Sequence, residues 1–279
     1  ALIQNSLDEY IIPISDPHLG ENITDHWKII SWLTGFTGSA ANVVVTDSFA
    51  GLWTDSRYIL QAQKQLAGSG FDLIIPKTLP PLDYTDWLEE HLPSGGRLGL
   101  DGRIFSMTQI RKLKSKLDGK NIIIVDDCDL ISEIWKDRPS ISHAEAWDHP
   151  VEFSGKERSQ KISEIREQMK KQNIDFHLLT SMDDIMWLLN IRGNDVSYSP
   201  LLTCFALIGE VQIILFVEES KIPGKLAYEF DKLGIIMLPY EEIEGLESFL
   251  SEGSSILINP STTSLALYKS MPADLKIIE

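Results

Sequence analysis

The residues able to do chemistry in this 279-residue chain are scattered rather than clustered. A metal centre needs carboxylates or histidines that converge at ligand spacing. The six histidines, His18, His26, His91, His143, His149 and His177, show no HExxH or comparable pairing. Asp126-Asp127 and Asp183-Asp184 are adjacent carboxylates. Neighbours on a strand point to opposite faces, so such a pair is a poor chelate. Asp183-Asp184 reads instead as a helix start, where carboxylates satisfy free N–H groups. Neither a GxSxG elbow nor a GxxxxGK[ST] phosphate loop occurs. Gly35-Phe36-Thr37-Gly38 is glycine-rich but precedes a strand, so it lacks the helix N-terminus that a phosphate site uses. Its glycines read as permitting a tight turn with positive φ. Cys128 and Cys204 stand far apart beside apolar or acidic residues, which favours neither a disulfide framework nor a reactive thiolate and points to a reducing compartment.

Three stretches carry candidate binding groups. In Trp53-Thr54-Asp55-Ser56-Arg57-Tyr58 a strand gives way to a helix, the usual place for ligand groups in α/β domains. Arg57 offers a planar fork of donors for a carboxylate or carbonyl. A structural Arg57–Asp55 pair is the plainer reading of the same residues. The second stretch, 190–198, is a dense polar turn containing Asn190, Arg192 and Asp195. A buried turn network or an interdomain contact explains it as well as a ligand does. The third, Asp16-Pro17-His18, reads as a loop.

These stretches need elements to hold them. Apolar alternation and turn residues predict strands at 9–14, 42–46, the segment entering Trp53, 71–76, 97–101 and 121–126. Helical spacing predicts helices at 25–32 (capped by Asn22 or Thr24), 57–66, 83–91, 106–117 and 129–135. A polar stretch with two prolines, 136–152, reads as a linker, followed by a long amphipathic helix over 155–172 with Ile162, Ile165 and Met169 on one face. The first pattern then returns. Trp187, Leu188 and Gly193 repeat Trp32, Leu33 and Gly38 at an offset of 155. Strands at 176–180, 201–207, 211–217, 235–239, 255–259 and 275–278 and helices at 225–233, 242–250 and 262–269 complete the second copy. Strands alternating with helices define an α/β layer fold, with domains at 1–145 and 146–279. Copy one continues past its last strand into a helix and an exit segment. Copy two has no counterpart, so the repeat implies that it ends one element early and that the natural chain continues, leaving an apolar patch where further structure packs.

Composition narrows the function classes. The chain is 43% hydrophobic and 24% charged, an ordinary globular balance. A net charge of −16 argues against nucleic acid, since little here could displace phosphate counterions. No apolar run approaches the ~18 residues of a membrane span.

The chain resembles the N-terminal half of a three-domain Xaa-Pro aminopeptidase (aminopeptidase P). The resemblance rests on YIIPISDPH, SWLTGFTGSAANVVVT, GLWTDSRYILQAQKQL, IWKDRPS and DDIMWLLNIRGNDVSYSPLLTCFALI, in the family's order and at its spacing. It implies two tandem creatinase N-terminal domains, ribonuclease-H-like, each a mixed sheet flanked by helices. It further implies a cytoplasmic metallopeptidase that removes the N-terminal residue from peptides with proline in second position. The family's two divalent metal ions, usually manganese, sit in a C-terminal "pita-bread" domain whose ligands and catalytic histidines have no matching positions here. On this resemblance the chain carries no catalytic residue, no metal ligand and no cofactor. It contributes substrate gating, packs against its own catalytic domain, and leaves a homodimer open. One functional residue carries over: the family's substrate-contacting Arg of WTD-x-RY is Arg57. Ser56 stands where the family often has Gly, a change tolerated unless the backbone needs positive φ. Another reading is a binding or pseudoenzyme module that reuses the fold, as the N-terminal domain of a histone chaperone does. Creatine and proline-dipeptide hydrolases are a third. Both of those carry a single copy, so the duplication favours the aminopeptidase.

Overall fold

A computed structural model describes residues 1–75 and 83–279. The chain divides into two compact units, one formed by Ala1–Pro17 and Asp25–Ser140, the other by His18–Thr24 and Ile141–Glu279.

The first unit contains strands β1 (Glu9–Pro13), β2 (Ala41–Val45), β3 (Ala50–Thr54), β4 (Asp72–Ile74), β5 (Arg97–Gly99) and β6 (Ile123–Val125). They form one sheet in the order β4-β3-β2-β1-β5-β6. β1–β2 and β2–β3 are antiparallel, whereas β3–β4, β1–β5 and β5–β6 are parallel. β1 lies inside the sheet and is buried along its whole length. Around the sheet run α1 (Ile29–Thr34), α2 (Ile59–Gln65), α3 (Tyr84–His91), α4 (Met107–Leu117) and α5 (Leu130–Ile134). α3 and α4 each open on a capping box, Asp83 with Asp86 and Ser106 with Gln109, so two orphan N–H groups are satisfied reciprocally at each start.

The second unit repeats this plan. After β7 (Trp147–Asp148), α6 (Val151–Ser154) and α7 (Arg158–Lys171) come β8 (Phe176–Leu179), α8 (Met182–Leu189) and β9 (Ile191–Arg192). Then follow β10 (Phe205–Ile208), β11 (Ile213–Phe216), α9 (Gly224–Lys232), β12 (Ile235–Leu238), β13 (Ser255–Leu257), α10 (Leu265–Lys269) and β14 (Lys276–Ile278). The sheet order β12-β11-β10-β8-β13-β14 matches the first sheet strand for strand, with the same parallel and antiparallel neighbours. β10 is buried on both faces. Ala206 and Ile208 join a core with α7, α8 and α9, while Phe205 and Leu207 join another with Ile243, Leu246 and Leu267. That split follows from the two-residue period of a strand.

Several expected elements are displaced. The helix expected over 25–32 is a 3-10 turn at Asp25–Trp27 followed by α1, whose first turn has no side-chain cap from Asn22 or Thr24. The helix expected over 155–172 is shorter, because Gly155 (φ 73°) closes α6 in the left-handed region before α7 begins. Residues 240–249 form a 3-10 stretch broken at Gly245, not an α-helix. The expected linker contains β7, which pairs antiparallel with β9. The strand expected over 71–76 is β4; Pro76 lies outside the described residues.

Candidate functional site

β3 ends at Thr54 and α2 starts at Ile59, so Asp55–Tyr58 form the turn between them. The Asp55 carboxylate organises this turn. Its Oδ1 accepts the backbone N–H of Arg57 at 2.9 Å, and its two oxygens accept Arg57 Nε and Nη2 at 2.6–3.2 Å. The pair is exposed, with 71% of the Arg57 side chain accessible. Hydrogen bonds from Arg57 hold the Asp55 carboxyl below its ordinary pKa. Ser56 is not among the residues with positive φ, so serine is accommodated there without strain.

The glycine turn supports the Arg57 turn from below. Gly35 (φ 79°) closes α1 in the left-handed region, as expected. Gly38 is needed for a different reason: a Cβ there would lie 2.3 Å from Phe36 Cζ and 2.9 Å from Tyr58 Cδ1. Its absence lets the Phe36 and Tyr58 rings meet edge to face at 6.0 Å. Tyr58 Oη shares a 2.7 Å hydrogen bond with Ser39 Oγ, and Gln65 of α2 bonds both to the Thr37 N–H and to its hydroxyl. Turn and helix are thus tied together, and Arg57 projects from their junction. A cleft of about 410 Å³ opens beside Asp55, walled also by Asn42, Trp53, Thr54, Tyr84 and Lys112.

The same local fork occurs a second time, at Asp101-Gly102-Arg103. The Arg103 N–H donates to Asp101 Oδ1 at 3.0 Å, and Nε and Nη2 grip the carboxylate at 2.7–3.1 Å. Here the guanidinium is also bonded to Asp129 at 2.5 Å and lies 5.3 Å from the Trp27 ring. Its side chain is 38% exposed. An Asp-x-Arg fork is therefore a self-contained turn; the Arg57 guanidinium also lies 5.3 Å from the Tyr58 ring, and what differs is how far each arginine side chain is exposed.

The polar turn at 190–198 is engaged by the fold. Asn190 closes α8 with φ 49°, accepts Lys161 Nζ at 2.7 Å and donates to the Lys156 carbonyl at 2.8 Å. Arg192 donates to the carbonyls of Met186 and Ile191. Asp195 pairs with the buried Lys221 at 3.0 Å and accepts the Thr203 N–H at 2.7 Å. A Cβ on Gly193 would lie 2.8 Å from backbone atoms of Leu201 and Leu202. The structure brings Asp195 to Lys221, a partner 26 residues away in sequence.

His18 and Glu9 are among the buried titratable groups that the sequence does not reveal. His18, read as a loop residue, is enclosed in the second unit: it stacks on Phe205 at 4.2 Å, with Nδ1 3.0 Å from the Thr180 carbonyl and Nε2 3.2 Å from Tyr240 Oη. Burial lowers its pKa to about 4. Glu9, hidden in the apolar run of β1, is 3% exposed, and burial raises its pKa to about 7. No local pattern marks either one. Both cysteines are free and buried, and burial raises their pKa values. Asp183 and Asp184 occupy the first turn of α8 behind the Ser181 cap, the helix-start role expected. Among the described residues no group of three or more His, Cys, Asp or Glu side chains converges to hold a metal ion.

Two family models of the creatinase/prolidase N-terminal domain match this architecture, over residues 14–134 and 137–279. The chain belongs to the creatinase/prolidase N-terminal domain family and carries that domain twice. It is 34% identical over 271 residues to aminopeptidase P2 of Arabidopsis thaliana, covering 95% of this chain and 38% of that protein. It is likewise 34% identical over 273 residues to Xaa-Pro aminopeptidase 1 of Dictyostelium discoideum, covering 94% of this chain and 43% of that protein. The crystal structure of X-prolyl aminopeptidase from Caenorhabditis elegans, described as a cytosolic enzyme with a di-nuclear active site, superposes with a TM-score of 0.90 at 30% identity, over 97% of this chain and 45% of that one. The chain therefore spans about two-fifths of the length of these curated relatives.

Proposed function

We propose that this chain is the non-catalytic N-terminal part of a cytoplasmic, metal-dependent aminopeptidase that removes the N-terminal residue from peptides with proline in second position. The match of both units, over 97% of the chain, to an X-prolyl aminopeptidase carries this reading. The domains are 1–145 and 146–279. Arg57 contacts the peptide substrate. Asp55 holds Nε and Nη2 of its guanidinium and limits its rotamers, so it loses little further entropy on meeting a peptide carbonyl. The chain's remaining tasks are gating and packing against its own C-terminal catalytic domain and, in a homodimer, a second subunit.

The two divalent ions of such an enzyme, manganese in this proposal, do not fit the described residues, because no three ligating side chains converge there. They belong to the catalytic domain, and no step of the chemistry runs through this chain. A cytoplasmic setting is supported by two free, buried cysteines.

The test is hydrolysis of a Xaa-Pro-Xaa peptide with added Mn²⁺. The expected result is a silent 279-residue chain beside an active full-length gene product. Metal-dependent cleavage by the chain alone, or an inactive full-length protein, overturns the reading.

A further inference from the structure

We infer that Trp187 is the docking point for an aromatic side chain carried by the segment that follows β14 in the longer protein, an inference that rests on the reading just proposed. The argument comes from comparing the two units. α1 and α8 end in the same way, on a left-handed residue, Gly35 (φ 79°) in one and Asn190 (φ 49°) in the other. A tryptophan stands three residues before each, Trp32 and Trp187. The two indoles therefore occupy matched places beside matched sheets.

In the first unit a second ring stacks on the indole, which stays 37% exposed. Trp135 stacks on Trp32, ring centroids 4.9 Å apart and planes within 12°, and Trp135 is itself 6% exposed. It lies ten residues past the end of β6. In the second unit β14 takes the place of β6, parallel to β13 as β6 is to β5. Trp187 is 53% exposed, against 37% for Trp32, and among the described residues no aromatic ring pairs with it. One group does approach it: Lys161 Nζ lies 4.5 Å from the ring centroid. Lys161 comes from α7, which Arg166 ties to the carbonyls of Gly209 and Val211 in the β10–β11 turn. Lys161 Nζ is itself held by the Trp187 carbonyl and Asn190 Oδ1, so it is a fixed cation beside the ring and not a second ring stacked on it.

The occupant is thus specified by the repeat: an aromatic residue about ten positions past the end of β14, placed over Trp187 by a short helix, as α5 places Trp135 over Trp32. The contact would fix how the chain leaves the second unit toward the catalytic domain. A stacked pair of this kind adds to the area it buries, enough to bias that exit without locking it.

The experiment is ¹⁹F NMR of 5-fluorotryptophan-labelled protein, with the Trp187 resonance assigned by its loss in Trp187→Phe. In the 279-residue chain this resonance should show the H₂O-to-D₂O shift of an exposed indole. In the full-length gene product the shift should shrink to that of the stacked Trp32, and it should recover when the aromatic residue about ten positions past β14 is replaced by alanine. An unchanged solvent shift in the full-length protein overturns the inference, as does a gene with no aromatic in that window. Coverage that depends on protein concentration also overturns it, since a second copy then occupies the site. Peptidase activity of the same sample separates the two proposals. An active enzyme with Trp187 exposed refutes only the docking contact; an inactive protein with Trp187 covered refutes only the aminopeptidase reading.

Discussion

Glu9→Gln tests how the centre of the first sheet is held. Glu9 opens β1, and its Oε2 is buried without a hydrogen-bond partner. Burial, reinforced by the charge of Asp8 and opposed by Lys120, raises its pKa from 4.5 to about 7. Between those values the folded chain holds a proton that the unfolded chain releases. Glu9 therefore contributes stability that is fully present below pH 4.5 and is lost as pH rises through 7. At about 1.4 kcal/mol per pH unit across that interval, the loss reaches about 3 kcal/mol by pH 8. Glutamine is a neutral near-isostere. The variant should match the wild type within about 0.5 kcal/mol at pH 4 and exceed it by about 2–3 kcal/mol at pH 8. Urea denaturation followed by tryptophan fluorescence reads the right unit, because Trp27, Trp32, Trp53, Trp87 and Trp135 all belong to it and only Trp147 and Trp187 do not. Taking the difference between variant and wild type cancels the other titrating groups. A difference independent of pH, or one favouring the wild type at pH 8, refutes the argument.

His18 titrates in the opposite sense. Its pKa falls from 6.5 to about 4, mainly through burial, with the Thr180 carbonyl and Asp195 opposing and Lys221 assisting. Its contribution to the second unit is present above pH 6.5 and lost as pH falls toward 4, by about 3 kcal/mol in all. Hydrogen exchange of the β10 amides should show this loss in the wild type and a flatter profile in His18→Gln. Lys221→Met strands the buried Asp195 carboxylate and should cost about 3–5 kcal/mol in chemical denaturation, most of it recovered in the double variant with Asp195→Asn; an equal cost in both would contradict the pairing. Arg57→Ala in the full-length enzyme should lower kcat/KM on a Xaa-Pro peptide by about 10–100-fold, the worth of a charged hydrogen bond. It should leave the unfolding midpoint nearly unchanged, because the Asp55 pair is exposed. Unchanged kinetics would remove Arg57 from the substrate site.

The strand positions were legible because two independent signals agree. Period-two apolar runs locate the strands, and the repeat at offset 155 makes each unit a check on the other. The misplaced elements fail for reasons that lie far away in sequence. Residues 25–27 leave the α-helix that their spacing suggests, and the Trp27 ring sits 5.3 Å from the Arg103 guanidinium and 4.6 Å from that of Arg138. Neither partner is visible in a local window. Residues 201–204 read as the start of a strand. Instead the Asp195 carboxylate accepts the Thr203 N–H, and the Asp195 N–H donates to the Leu201 carbonyl. The ladder starts only at Phe205.

The site was legible in residue type but not in role. Asp55-Ser56-Arg57 and Asp101-Gly102-Arg103 follow strands of the same sheet and close the same fork. By local sequence alone the two arginines are equivalent. Exposure separates them: Asp129 and Trp27 converge on Arg103, whose side chain is 38% exposed, against 71% for Arg57. The Asp55–Arg57 pair is a structural pair, and under the proposed function the grip of its carboxylate on Nε and Nη2 is also what aims the fork. A salt bridge this exposed adds little to stability. Its consequence lies in orientation: a held guanidinium loses less entropy on meeting a carbonyl than a swinging one. On that argument Asp55→Asn should weaken substrate capture almost as much as Arg57→Ala while keeping the cation. A full-length Asp55→Asn enzyme with unaltered KM and kcat would show that Arg57 needs no aiming, and the fork would then be architecture alone.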